Sequence, residues 1–151
     1  MMTDNGANRR ISEDHVSDKT ERIDIESVEM CFGCGKANPI GLKLELKKAG
    51  ETASAEFMPQ DVHQGYGGIV HGGIMSALLD EMAGRLLYEL GYKAVTARIE
   101  VRFKRPASVG KPICLFSKIH EKKGRVILTH SEAKSEQGKL LAEATASFVL
   151  A

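Results

Sequence analysis

Residues 68–84 of the 151-residue chain read GIVHGGIMSALLDEMAG, and they separate two different sequence patterns. The run from Ile74 to Leu90 is rich in Leu, Met, Ala and Glu and holds no proline, which favours a helix. Gly91 follows as a natural helix stop. Apolar residues surround most of the axis of this helix, so we predict that it is buried on nearly all sides.

Alternating apolar and polar residues on both sides of the helix predict strands. Before the helix, the alternation runs from Leu42 to Lys47 and again from Ala53 to Phe57. A sheet that wraps around a single long central helix accounts for this order economically, so the sequence predicts an α+β fold with an antiparallel sheet. After the helix, the predicted strands are residues 95–104, 113–120, 126–135 and 140–150.

The composition describes one domain, residues 22–151, that follows a polar tail. Residues 1–21 are mixed in charge and almost free of large apolar groups, so we expect a flexible N-terminal tail. The 21 Lys and Arg residues nearly balance the 20 Asp and Glu residues, so we expect neither a nucleic-acid nor a membrane partner. The three cysteines are an odd number and argue against a disulfide scaffold, which favours the cytoplasm.

The most informative polar segment is His71-Gly72-Gly73, directly before the helix. Backbone N–H groups in the first turn of a helix have no partner inside the helix, and the helix dipole adds positive charge there. Gly72 and Gly73 would let a substrate carbonyl approach these amides closely. The segment therefore predicts an oxyanion site for acyl transfer.

A carboxylate, Asp80, lies nine residues after His71 in the apolar helix. Burying a carboxylate is costly unless something pairs with it or uses it, so Asp80 is our candidate general base or nucleophile. The alternative is that Asp80 pairs with an arginine such as Arg85 or Arg98 and that the glycines only allow tight packing. Glu81 lies about 100° further around the helix and cannot face the same carbonyl. We expect it to pair or to face a subunit boundary.

Three segments together resemble the hotdog-fold acyl-CoA thioesterases of the phenylacetic-acid-pathway (PaaI) type. They are GIVHGGIMSALLDEMAG, the preceding CFGCGKANPIGL (31–42) and the following VTARIEVRFKRPASVG (95–110), and the resemblance covers about residues 31–150. It implies the hotdog fold and hydrolysis of an acyl-CoA thioester to the free acid and coenzyme A. It also implies Asp80 as the catalytic carboxylate and amides near Gly72 and Gly73 that polarise the thioester. We expect no cofactor.

The same resemblance implies homodimers that join their sheets and often assemble into homotetramers, with the active site shared across the dimer interface. Four further residues are candidates for binding the substrate. His71 is a base or a histidine that fixes the loop, and Gln64 orients a water or the thioester carbonyl, or braces the loop. By the resemblance, Asn38 shapes the acyl pocket. Arg98 would bind the phosphates of coenzyme A or lie on a solvated strand face.

Cys31 and Cys34 form a C-x-x-C pair, which is only half of a tetrahedral zinc site. A second pair is missing, and Cys114 with a distant histidine would be needed to complete the site. Redox chemistry would want a thioredoxin-like context, which the sequence lacks. We therefore predict no metal site and no redox role for this pair.

Two other functions are compatible with the same motifs. A hotdog hydratase or dehydratase would act on similar thioesters and would need His71 and a carboxylate to work together. A non-catalytic module that binds acyl-CoA would have little reason to keep Asp80 in an apolar helix.

Overall fold

A six-stranded antiparallel sheet wraps one long helix in the computed structural model, which describes residues 27–151. The predicted α+β fold is confirmed, and the predicted tail, residues 1–21, lies outside the described residues. The strand order across the sheet is β1-β2-β4-β5-β6-β3. The elements are β1 (Lys47–Ala49), β2 (Thr52–Phe57), a short 3-10 turn (Asp61–His63), α1 (Gly72–Glu89), β3 (Ala94–Phe103), β4 (Ile113–Lys123), β5 (Val126–Ser135) and β6 (Leu140–Leu150).

Most of the first predicted strand is an irregular segment that bonds to the preceding loop and not to the sheet. Only Lys47–Ala49 pairs with β2, whereas the backbone amides of Leu42 and Leu44 donate to carbonyl oxygens of the loop before them at 2.8 and 2.9 Å. Lys43 adopts a positive φ of 51°, which interrupts an extended strand. Both leucines are buried in the core. The alternation in this segment therefore reports burial correctly, but the prediction that residues 42–47 form a strand is wrong for residues 42–46, and the strand begins at Lys47.

The helix α1 packs its apolar stripe against the concave face of the sheet. None of the residues 74–87 is exposed, which agrees with the predicted burial on nearly all sides. Gly91 adopts a positive φ of 86° just after the helix, as expected of a helix stop. No helix within residues 27–151 is long and apolar enough to cross a membrane. The buried residues of α1 are Met75, Leu78, Leu79, Met82, Ala83, Leu86 and Leu87.

The strand β3 forms one edge of the sheet and pairs with β6 alone within residues 27–151. Its register shifts between Thr96 and Arg98, so the strand carries a bulge at this point. Thr96 aligns with Phe148, whose side chain is buried against the helix, whereas Arg98 aligns with Ser147 on the outer face. The bulge therefore directs Thr96 towards α1 and Arg98 away from it.

Candidate active site

The start of α1 is capped by the histidine that precedes it. His71 Nδ1 accepts a hydrogen bond from the Gly73 amide at 2.8 Å, so this ring nitrogen carries no hydrogen. The loop-fixing alternative for His71 is thus the one that the geometry supports. The Gly72 amide donates no hydrogen bond within residues 27–151. Of the two predicted oxyanion donors, the structure leaves Gly72 available and engages Gly73.

A cavity of about 280 Å³ opens beside Gly72. It also borders Lys104 and Arg105, which place two cations next to a largely apolar space. A Cβ atom at Gly72 would lie 3.5 Å from the Phe103 ring, so the glycine is not needed for packing. This arrangement can accept an acyl carbonyl at the helix start and an anionic group nearby. The apolar residues that line the cavity include Ile69, Val70, Met75, Phe103, Ala107 and Leu141.

Asp80 is half-buried and faces the edge strand. Its Oδ1 atom accepts a hydrogen bond from the Thr96 hydroxyl at 2.8 Å. The two arginines considered as partners bind glutamates instead: Arg85 lies 2.6 Å from Glu89 and Arg98 lies 3.8 Å from Glu100. Sequence reasoning missed Thr96, because only the bulge in β3 turns it towards the helix and no periodicity signals that turn.

Asp80 and the start of the helix are far apart within one chain. Asp80 lies eight positions after Gly72 in α1, and at about 1.5 Å per residue this is a distance of about 12 Å along the axis. A base acts within hydrogen-bond reach, either directly or through one water. Within one chain, the Gly72 amide and the Asp80 carboxylate are therefore too far apart for the amide to polarise a carbonyl group while the carboxylate drives the attack on it.

The neighbouring carboxylate, Glu81, faces the C-x-x-C loop instead of β3. Cys31 Sγ lies 3.5 Å from Glu81 Oε2, and Arg85 Nη1 lies 3.7 Å from Cys34 Sγ. Burial raises the pKa of the Glu81 carboxyl group, and burial followed by the nearby Glu81 carboxylate raises the pKa of the Cys34 thiol. The two adjacent carboxylates therefore diverge, as their spacing on a helix predicts, and Glu81 pairs with the cysteine loop.

Gln64 braces the glycine-rich loop. Its Oε1 atom accepts from the Gly68 amide at 2.6 Å, and its Nε2 atom donates to the Asp61 carbonyl at 3.0 Å. Both ends of the side chain are thus occupied within the loop. The bracing alternative accounts for Gln64, and its role towards substrate stays a prediction.

Asn38 and Arg98 lie away from Asp80 and Gly72. Asn38 Nδ2 donates to the Met30 carbonyl at 3.1 Å, and its Oδ1 accepts from the Ile40 amide at 3.0 Å, so it braces its own loop. Arg98 borders a cavity of about 530 Å³ on the outer face of the sheet. The structure therefore brings His71 and Gly72 together at the helix start, and Asp80 and Thr96 together further along it, but it joins neither of these pairs to Asn38 or Arg98.

The sequence that forms this fold and site matches a known protein family. The sequence profile of the thioesterase superfamily matches residues 67–142, half of the chain, including the helix and both groups of site residues. The chain therefore belongs to the thioesterase superfamily.

One curated relative is acyl-coenzyme A thioesterase THEM4 of Xenopus laevis, which is 30% identical over 94 residues. The aligned region covers 62% of this chain and 42% of that relative, so it spans less than half of the relative's length. The shared segment supports the family assignment, whereas the activity of the longer protein does not transfer by itself.

Solved structures share the fold. A thioesterase superfamily protein superimposes with a TM-score of 0.76 at 24% identity, over 80% of this chain and 60% of that one. A hypothetical thioesterase from Streptococcus pneumoniae TIGR4, crystallised with coenzyme A, gives 0.68 at 16% identity, over 72% and 85%. A phenylacetic acid degradation-related protein from Ralstonia eutropha JMP134 gives 0.66 at 23% identity, over 72% and 86%. The predicted hotdog fold is confirmed.

Proposed function

We propose that this chain hydrolyses an acyl-CoA thioester to the free carboxylic acid and coenzyme A. The observation that carries the proposal is the half-buried Asp80 carboxylate, which Thr96 orients on the helix that follows the HGG segment. Membership of the thioesterase superfamily supports the reaction class. The acyl-coenzyme A thioesterase of Xenopus laevis supports the substrate class.

The start of α1 would bind the thioester carbonyl. The carbonyl oxygen accepts from the Gly72 amide, and the positive end of the helix dipole stabilises the negative charge that develops during attack. The acyl group or the adjoining pantetheine chain enters the apolar cavity beside Gly72. Lys104 and Arg105, at the edge of that cavity, supply positive charge for the phosphates of coenzyme A.

Asp80 would drive the attack on the carbonyl carbon. As a general base, the carboxylate takes a proton from water while the water oxygen bonds to the carbonyl carbon. The tetrahedral intermediate then collapses, the carbon–sulfur bond breaks, and the thiolate of coenzyme A leaves and is protonated. Direct attack by Asp80 would use the same carboxylate in the same place, so both mechanisms depend on this residue.

We propose that each active site combines two chains of a homodimer. The separation of about 12 Å between Gly72 and Asp80 in one chain supports a site in which the Asp80 of one chain serves the carbonyl held by Gly72 of the other. Within residues 27–151 the ten-residue strand β3 pairs only with β6, so its other edge is open for joining the two sheets, and it carries Thr96 next to Asp80. Further assembly into a homotetramer stays a prediction.

A cytoplasmic location is also part of the proposal. None of the three cysteines of the chain, which all lie within the described residues, forms a disulfide, and this suits a reducing compartment. Cellular fractionation with an antibody to the native protein would test it.

The first experiment measures release of free thiol from short, long and aromatic acyl-CoAs. Wild-type protein is compared with Asp80→Asn and with Glu136→Gln, a matched carboxylate-to-amide change at an exposed turn. We expect turnover of at least one substrate, a loss of roughly a hundredfold or more in Asp80→Asn, and wild-type rates in Glu136→Gln. Circular dichroism checks that each variant is folded.

Two results would reject the proposal. One is the absence of turnover with every substrate, and tight binding of acyl-CoA without turnover would then indicate a binding module. The other is an Asp80→Asn protein as active as wild type. Addition of water to an unsaturated acyl-CoA, dependent on His71 as much as on Asp80, would indicate a hydratase.

A further inference from the structure

Three side chains with metal-binding atoms converge beside the helix, on the side away from Thr96. The sulfur atoms of Cys31 and Cys34 and a carboxylate oxygen of Glu81 all lie within 4.8 Å of one another. The distance from Cys31 Sγ to Glu81 Oε2 is 3.5 Å. In a tetrahedral zinc site, with a zinc–sulfur bond of about 2.3 Å and a zinc–oxygen bond of about 2.0 Å, two such ligands lie about 3.5 Å apart. The observed spacing therefore fits one shared ion.

The loop that carries the two cysteines is folded tightly around the Glu81 carboxylate. A Cβ atom at Gly33 would collide with that carboxylate, and one at Gly35 would collide with the Glu29 carbonyl oxygen. The Gly35 amide donates to the Cys31 carbonyl at 2.8 Å and closes the turn between the cysteines. Both glycines are thus required for the backbone to approach so closely, and the approach brings three ligand groups together.

The surroundings suit a charged site. All three ligand residues are partly buried, and two thiolates with one carboxylate would be costly to hold together without a cation. Arg85 Nη1 contacts Cys34 Sγ at 3.7 Å, and Glu89 fixes Arg85 from its other side at 2.6 Å. An N–H group beside a ligating sulfur is a typical outer contact that orients a ligand and balances its charge.

We propose that Cys31, Cys34 and Glu81 bind a single divalent ion of the zinc type. Two thiolates select a borderline-soft metal over Mg²⁺ or Ca²⁺, which prefer oxygen ligands alone. Binding displaces the two thiol protons into solvent. The fourth coordination position faces a cavity of about 260 Å³ and takes a water molecule. The side chains around this cavity include Arg85, Tyr88, Tyr92 and Lys93.

The ion ties the N-terminal loop to α1. Glu81 directly follows Asp80, so the metal fixes the helix turn whose other side presents the proposed catalytic carboxylate. The sequence alone predicts no metal site, because Cys114 and a distant histidine would be needed to complete it. Cys114 is exposed on β4, and the proposed third ligand, Glu81, comes from α1 instead. The site would bind metal whether or not the chain hydrolyses thioesters.

Cobalt titration of the full chain tests the site. The reduced protein is freed of metal with a chelator, the chelator is removed, and Co²⁺ is added. We expect one equivalent to bind, with a thiolate-to-cobalt charge-transfer band and tetrahedral ligand-field bands, and we expect Zn²⁺ to displace it. Cys31→Ser and Cys34→Ser each remove a metal ligand. Each should lower the affinity for Co²⁺ by more than the roughly tenfold to hundredfold that follows from losing a residue that only contacts a ligand. Cys114→Ser is the matched control and should bind as wild type does.

Three results would overturn the proposal. They are the absence of a thiolate band in the wild type, wild-type binding in both serine variants, and loss of binding in Cys114→Ser. A reduced wild type that binds no metal, but loses two hydrogens in mass under mild oxidation, would identify a Cys31–Cys34 disulfide instead. If a serine variant fails to fold, Glu81→Gln replaces it. Zn²⁺ should raise the melting temperature of wild type and Cys114→Ser, and raise that of Glu81→Gln distinctly less.

Discussion

The Thr96 hydroxyl donates a hydrogen bond to Asp80 Oδ1 at 2.8 Å and so connects the edge strand β3 to the middle of α1. This bond restricts the rotation of the carboxylate, and its second oxygen, Oδ2, accepts no hydrogen bond from residues 27–151 and can meet water or substrate. Thr96 is thus a positioning residue. Within the described residues 27–151, β3 is an edge strand that pairs with β6 alone, so pairing of β3 with another chain would bring the two copies of Asp80 close to the same interface.

We predict that Thr96→Val lowers kcat roughly tenfold or more and leaves KM for the best acyl-CoA nearly unchanged. Loss of the hydroxyl lets the carboxylate rotate, and small misplacements of a reacting group slow the chemical step. Thr96→Ser keeps the donor and should recover most of kcat. Steady-state kinetics of the three proteins checks this, and equal kcat values for Thr96→Val and wild type would contradict the positioning role.

We predict that Gly72→Ala folds normally but hydrolyses thioesters poorly. The added Cβ atom has room, since its nearest neighbour is the Phe103 ring at 3.5 Å, yet it lies where the substrate carbonyl would approach the amide. The loss of an oxyanion donor typically slows catalysis about a hundredfold, and a partial block should cost a measurable part of that. The measurement is kcat/KM beside a thermal melt.

Gly84→Ala is the matched control for Gly72→Ala. Its Cβ atom would meet the Phe148 ring at 3.6 Å, a similar contact on the same helix but far from the helix start. Replacing a glycine inside a helix stabilises it by about 1 kcal/mol, so this variant should melt slightly higher and keep its activity. Equal activity in both alanine variants would remove Gly72 from the proposed site.

We predict that His71→Ala destabilises the fold by about 1 kcal/mol, because it removes the acceptor that caps the Gly73 amide. For a chain of this length, that loss lowers the melting temperature by about 2–4 °C. His71→Asn supplies another capping acceptor and should restore both stability and hydrolysis. If His71→Asn is stable but inactive, the histidine acts in catalysis and the capping role alone is insufficient.

The local features of the fold were predictable because they depend on neighbouring residues. Helix periodicity and the stop at Gly91 located α1, and alternation located β2 to β6. The failure lies at residues 42–46, where the alternation reflects two buried leucines whose backbone amides bond to a loop. Side-chain burial and ladder pairing produce the same pattern there, so the sequence cannot separate them.

The candidate site was only partly predictable, because its contacts join distant segments. Asp80 is visible in the sequence as a carboxylate inside an apolar helix, and the HGG segment is visible as a histidine and two glycines at the start of that helix. Thr96 reaches Asp80 only through a bulge in β3, and Glu81 meets Cys31 only because the loop folds back onto α1. Neither contact leaves a periodic signal in the sequence.

We predict that Glu132 stabilises the fold only at pH values at which its carboxyl group is ionised. His130 Nε2 and Lys134 Nζ lie 3.2 and 3.3 Å from its carboxylate, and these contacts, with His130 first, lower the pKa of Glu132. A group with a lowered folded-state pKa contributes stability that is lost as pH falls through that pKa. Glu132→Gln should therefore lower the free energy of unfolding at pH 7 by about 0.2–1 kcal/mol.

Measuring the stability of Glu132→Gln at several pH values tests the direction of the predicted pH dependence. The difference in free energy of unfolding between Glu132→Gln and wild type should reach its full value above about pH 4.3, the pKa of glutamate in the unfolded chain. It should shrink as the pH falls below that value. Urea unfolding at several pH values measures it. Glu143 also lies near this group, so Glu143→Gln in a parallel series separates its contribution. A difference that stays constant down to acidic pH would refute the linkage.

We predict that two impaired variants, Asp80→Asn and Gly72→Ala, recover activity when they form mixed dimers. In a dimer of Asp80→Asn with Gly72→Ala, one site combines the intact Gly72 of the first chain with the intact Asp80 of the second, while the other site carries both changes. Random pairing should therefore give about a quarter of the wild-type specific activity. Co-expression with two different tags allows the mixed dimer to be purified and assayed. If Gly72 and Asp80 of the same chain formed the site, every site would contain one defect, and the mixture would be no more active than its components.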